Sequence, residues 1–97
     1  MDNDVRLSGV VVARETLRHT PAGIPILNFT VKHESTQVEG GISRQVGFEI
    51  EAMAVGEVTQ RMKDLQAGHK LRLAGFLASR SRLSTHIVLH VSRVEFE

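Results

Sequence analysis

The stretch Arg18-His-Thr-Pro-Ala-Gly-Ile-Pro-Ile-Leu-Asn-Phe-Thr-Val-Lys-His33 decides the fold. Thr20-Pro-Ala-Gly23 has the chemistry of a tight turn, because proline presets φ at the first corner and glycine takes φ > 0 at low cost. Straight after it, Leu27, Phe29 and Val31 alternate with Asn28, Thr30 and Lys32, the period of a strand with one buried and one wet face. On the near side of the turn, Val5-Arg-Leu-Ser-Gly-Val-Val-Val-Ala13 reads as another strand. Paired, the two make a long, curved hairpin, with Gly9 the expected bend or bulge point.

Further along, Val46, Phe48, Ile50 and Ala52 alternate with Gly47, Glu49, Glu51 and Met53, a third strand. This parity places Phe29 and Phe48 in the core, with Phe96 packed as well. The intervening Glu34 to Gly41 is polar and ends in a glycine pair, the pattern of a mobile loop. From Val55 to Ala67, Val58, Met62 and Leu65 recur at three- and four-residue spacing, with Gly68 as C-cap, which predicts a short helix. A fourth strand covers His69 to Ala78, with Leu71, Leu73 and Leu77 on one face. After the basic connection Ser79-Arg-Ser-Arg-Leu-Ser84, a fifth runs from Thr85 to Phe96. There Ile87, Leu89 and Val91 share one parity while Val94 and Phe96 share the other, so a bulge is expected near Ser92-Arg93. Three strands, a helix and two strands predict an all-β, five-stranded Greek-key OB-fold barrel with a short helix between strands 3 and 4. Residues 1–97 are expected to form this single domain.

Composition narrows the function classes. Hydrophobic residues at 41% and charged residues at 24% are those of a globular chain rather than a disordered one. No apolar run approaches the ~18 residues of a membrane span, and acidic Met1-Asp-Asn-Asp4 is no secretory leader, so a cytoplasmic protein is expected. The chain has no cysteine, hence no disulfide and no thiolate chemistry. Its net charge of +1 is a small excess for a phosphate binder. Binding to nucleic acid therefore requires charge segregated on the surface.

Catalysis finds no foothold. His86 and His90 stand four apart in a strand, about 13 Å by strand geometry, too far to share an ion. Glu49 and Glu51 project about 7 Å apart from one strand face, where a solvated pair is the simpler reading. Nucleophile-elbow, dinucleotide and phosphate-loop motifs are absent. No enzyme activity, metal or cofactor is expected. The basic residues are better organised. Arg80 and Arg82 lie in the strand 4–5 connection among serines, Arg18 stands at the edge of the strand 1–2 connection, and Lys32 and Arg44 lie on or near strands 2 and 3. In an OB-fold these connections flank the strand 2–3 face on which oligonucleotides lie, and arginine both forks onto phosphate and stacks on bases. Phe76, on the face of Lys70 and Arg72, is the aromatic expected at the surface.

The wording of the hairpin, Leu7-Ser-Gly9, Thr20-Pro-Ala-Gly-Ile-Pro25, Phe29 and Lys32-His-Glu-Ser35, together with Gly75-Phe-Leu77 and Val88-Leu-His90, resembles the bacterial primosomal replication protein N family across residues 4 to 96. That family is related to the single-stranded DNA-binding proteins. The resemblance implies a homodimer that binds single-stranded DNA, stabilises the primosomal restart helicase on a repaired fork and helps recruit helicase-loading factors. It also implies DNA contacts at Arg18, Arg80, Arg82 and His86. The family's stacking aromatics fall at Gly47 on strand 3 and at Ile42 before it, so binding is expected to be weaker and more dependent on charge. A protein–protein adaptor of the replication machinery with little intrinsic DNA binding is the competing reading, favoured by Gly47, Glu49 and Glu51.

Overall fold

The computed structural model describes residues 1–97. Its strands are β1 (Val5–Arg14), β2 (Arg18–His19), β3 (Pro25–Glu39), β4 (Ile42–Val55), β5 (Lys70–Ser79) and β6 (Ile87–Phe96), with one 3-10 helix, Gly56–Met62, between β4 and β5. The two-residue β2 only folds back on Ile26 and Pro25, so the second to fifth strands read in the sequence are β3 to β6. The sheet order is β1-β5-β6-β4-β3, and β1 pairs again with β3, which closes a five-stranded OB-fold barrel. One strand closes it by changing partners: Val5–Val10 pair with β5 and Val10–Arg14 with β3. Only β4 and β6 run parallel.

The turn forms as its chemistry requires. The Gly23 N–H donates to the Thr20 carbonyl at 2.8 Å, the Thr20 N–H donates to that of Ile24 at 2.9 Å, and Gly23 sits at φ 86°. Gly9 has a different job from the expected bend. A Cβ there would run into the Val31 side chain and stand 2.6 Å from the Lys32 carbonyl oxygen, so glycine lets β1 cross tightly over β3. The bulge of this pair falls at Val12, between the partners Val11↔Val31 and Ala13↔Thr30. The other bulge lies where the parity change in the last strand put it. Ala74 faces Arg93 but Gly75 faces Val91, leaving Ser92 as the extra residue.

Inward residues of all five long strands fill the core, among them Val11, Leu27, Phe29, Val31, Leu71, Leu73 and Leu89. The helical segment plugs one end, but as a single 3-10 helix of seven residues rather than a helix reaching Ala67. Its buried residues explain why: Thr59 and Met62 stand three apart, the 3-10 period, and buried Leu65 continues that spacing past the helix end. The Thr59 hydroxyl donates to the Gly56 carbonyl at 2.7 Å. Arg14 donates at 3.1 Å to the carbonyls of both Lys63 and Leu65, taking up acceptors left free past the helix end. No helix is long and apolar enough to cross a membrane.

Two expectations are corrected at the β3–β4 hairpin. Residues 34–41 are not a loop. Pairing is continuous from Ile26↔Val55 to Glu39↔Ile42, and Gly40 (φ 60°) and Gly41 (φ 79°) form a two-residue turn of the type that needs φ > 0 at both positions. The hairpin runs past the end of the barrel, so the inward parity of β4 stops being buried. Phe48 is therefore 42% exposed rather than core, with its ring 5.1 Å from that of its cross-strand partner His33. Phe96 is also half exposed, edge-on to His69 at 5.8 Å. Ile87 is exposed too, and Val88 and Leu89 take the buried places at the start of β6.

Candidate nucleic-acid interface

Cross-strand register assembles a polar wall on the outside of the barrel. In one row Phe76 of β5 faces His90 of β6, His90 faces Met53 of β4, and Met53 faces Asn28 of β3. The rings of Phe76 and His90 are stacked at 5.0 Å and 6°, and Phe76 is 44% exposed, as its place beside Lys70 and Arg72 predicts. The next row carries Ala78, Val88, Glu51 and Thr30. Above it hangs the β5–β6 loop, closed by the Arg80 N–H donating to the His86 carbonyl at 2.8 Å. The His86 N–H donates to the Ser84 hydroxyl oxygen at 2.9 Å.

Glu51 organises this corner. Its carboxylate is 3.5 Å from the Arg80 guanidinium and 3.4 Å from His86 Nε2. Two of the basic residues expected to meet phosphate thus already face an internal anion. The pairs are open to water and contribute at most about 1 kcal/mol to stability, so a phosphate competes with Glu51 at little structural cost. Replacement of Glu51 by glutamine removes about 1 kcal/mol of like-charge repulsion at contact distance in water. Single-stranded oligonucleotide affinity is expected to rise about fivefold at low salt, and fluorescence anisotropy checks this.

The other expected residues are not gathered here. Lys32 is two residues along β3 from Thr30, but it faces Glu49 and pairs with Glu34 at 3.2 Å. Arg44 is near the hairpin tip, paired with Glu39 at 2.6 Å and about 23 Å along β4 from Glu51 by strand rise. Arg18 stands exposed on β2. Arg18 and Arg82 enter no ion pair. The β3–β4 face is therefore largely self-neutralised, and the uncompensated cations lie on the loops and on the β5–β6 side.

Two side chains at the site carry no signal in the sequence. His90 becomes half of an aromatic platform only once β5 and β6 are in register. Asn28 shows only the parity of a wet position, yet its Oδ1 is buried without a hydrogen-bond partner. It lines a cleft of about 50 Å³ that Glu51, Met53 and Arg80 also border.

A closed barrel with a basic β5–β6 loop and an exposed aromatic beside it is the architecture of a class of oligonucleotide-binding folds, and the comparisons with known proteins agree. Residues 3–93 match a family model described as "another single-strand binding protein family". The single-stranded DNA binding protein from Thermus aquaticus shares the fold, with a TM-score of 0.77 at 22% identity over 98% of this chain and 50% of that one. Nearer matches are to replication restart protein PriB. The protein of that name from Nitrosomonas europaea is 39% identical over 92% of this chain and 82% of its own length. The one from Bordetella pertussis is 36% identical, over 94% and 85%. PriB from Ralstonia solanacearum superposes with a TM-score of 0.88 at 34% identity, covering 100% of this chain and 99% of that one. The chain belongs to the replication restart protein PriB family.

Proposed function

We propose that this chain acts as a single OB-fold unit that binds single-stranded DNA in the primosome, without catalysing a reaction. One observation carries the reading: the Arg80–His86 loop overhangs the outer wall on which Phe76 and His90 stack. Arg80 and Arg82 would take the phosphates, His86 would release Glu51 to do the same, and the Phe76–His90 pair offers a base a ring to stack on. Arg18, Lys32 and Arg44 would contribute longer-range attraction, each as far as its neighbouring carboxylate allows. In its finer roles the chain would stabilise the restart helicase on DNA and help recruit helicase-loading factors, a reading that family membership supports. The protein would act as a homodimer in the cytoplasm. The adaptor reading draws on the ion-paired β3–β4 face, where Glu34, Glu49 and Glu51 oppose a phosphate chain.

Anisotropy titrations with oligo-dT and with a matched duplex, at about 0.05 M and 0.2 M salt, test the proposal. DNA binding predicts preference for the single strand and a log–log salt slope of about −0.7 for each phosphate engaged. Absence of binding at the lower salt would leave the adaptor.

A further inference from the structure

A second concentration of positive charge lies on the outer face of β1, β5 and β6, below the Phe76–His90 stack. An open cavity of about 580 Å³ there is lined by Arg6, Arg61, Arg72 and Arg93. Pairing across the strands builds it. Arg6 and Arg93 both face Ala74, whose small side chain leaves the space between them, and Arg72 sits in the adjacent row between Ser8 and Glu95. Arg61 comes from the 3-10 helix.

The charge here differs in kind from that of the β3–β4 face. Glu95 is the single acid on the lining, so four arginines less one glutamate give +3 in a chain whose total is +1. Arg72 pairs with Glu97 at 3.5 Å, but Arg6, Arg61 and Arg93 have no carboxylate partner. Arginines this close together repel one another unless an anion lies between them. Guanidinium forks match phosphate oxygens.

The surroundings point to a phosphate chain rather than to an acidic peptide. A peptide partner is held chiefly by apolar and aromatic anchors in pockets, and no exposed large apolar side chain lines this cavity. Leu73 and Val94 are buried in the core, and Leu7 packs against it. The cavity is also continuous with the wall described above. Ala74 is two residues from Phe76 on β5, and Arg72 is about 26 Å from Arg80 by strand rise.

We propose that this arginine cavity is a second phosphate-binding station. A single strand held at the β5–β6 loop passes over Phe76 and His90 and down the outer face of β5 and β6 into it. The proposal rests on the single-stranded DNA reading for its ligand and adds a path that leaves the β3–β4 face.

The test compares the native protein, Arg6→Gln with Arg93→Gln, and Arg80→Glu with Arg82→Glu. Each is titrated with oligo-dT of about 10 nucleotides, within the ~4–16 that one OB fold covers, and with a strand about three times longer. Loss of two phosphate contacts should flatten the salt slope by about 1.4. The cavity variant should lose that slope, and roughly tenfold in low-salt affinity, on the long strand and much less on the short one. Arg6 and Arg93 are exposed, so an unchanged melting temperature will show that the variant folds. If the cavity variant leaves both strands unaffected while the loop variant weakens them, the second station does not exist and the single-strand reading survives. If the native protein binds neither strand, both fall. If poly-glutamate binds the native protein and the cavity variant weakens that peptide but not DNA, the occupant is an acidic protein and the nucleic-acid assignment is overturned.

Discussion

Replacing Gly75 with alanine is expected to cost at least about 3 kcal/mol of folding stability, the upper range for overpacking, because the obstruction is main chain and no rotamer change relieves it. A Cβ at this position would overlap the His90 carbonyl oxygen, stand 2.8 Å from its carbon and lie 3.2 Å from the Ser92 nitrogen. These atoms belong to the bulge in β6, where Ser92 has no partner and the strand swings towards β5. Glycine lets the two backbones come that close. A domain of this size has about 5–15 kcal/mol in total, and each kilocalorie is worth about 4–8 °C. Thermal unfolding of Gly75→Ala should therefore fall by at least about 12 °C. Gly47→Ala is the control. Its nearest neighbour is the His33 carbonyl oxygen at 3.7 Å, and removing a strand glycine's excess freedom makes the change neutral to about 1 kcal/mol stabilising. If Gly75→Ala melts with the native protein, the β5–β6 bulge is not tightly packed.

The same bulge marks how far a sequence can be read. The parity change between Val91 and Val94 is visible in the chain, because each buried position must be apolar. The partner glycine is not, because a missing side chain has no period. Alternation likewise identified every long strand where one face is buried, and it failed on both strands of the outer half of the β3–β4 hairpin for one reason. Beyond the barrel neither face is buried, so residues 34–41 look like a loop and Phe48 looks like core. The turn at Gly40-Gly41 was legible as flexible residues, but its φ values close a hairpin rather than loosen a loop. Helical spacing of Met62 and Leu65 was visible, but a period of three was not separable from 3.6 over so short a segment.

Charge was the least legible level. Arg80 and Arg82 could be assigned to one connection from the strand order alone, whereas His86 reads as the start of the last strand and joins their loop because β6 begins only at Ile87. Which of the three is free could not be read, because Glu51 reaches that loop only through the parallel pairing of β4 with β6. The arginines of the outer cavity are spread from position 6 to position 93 and converge only in the closed barrel.

Reversing Arg80 and Arg82 together, Arg80→Glu and Arg82→Glu, should lower single-stranded DNA affinity by at least about a hundredfold at low salt. Each charge-assisted contact is worth about 1.5–3 kcal/mol, and each reversal adds repulsion to the loss. The salt slope should flatten by about 1.4, two single-strand phosphate contacts. The structure also orders the two single changes. Arg80 is already shared with Glu51 at 3.5 Å, so part of its charge is spent before DNA arrives. Arg82 has no carboxylate partner and stands exposed on the loop. Arg82→Glu alone should therefore account for most of the loss. Arg80→Glu alone should act less on DNA and more on the loop, by setting a second carboxylate beside Glu51, and adding Glu51→Gln should restore part of its affinity. Equal losses from the two single variants would mean that DNA displaces Glu51 without cost. Unchanged affinity and slope in the double variant would remove the loop from the binding surface and leave Phe76, His90 and the outer arginines to carry it.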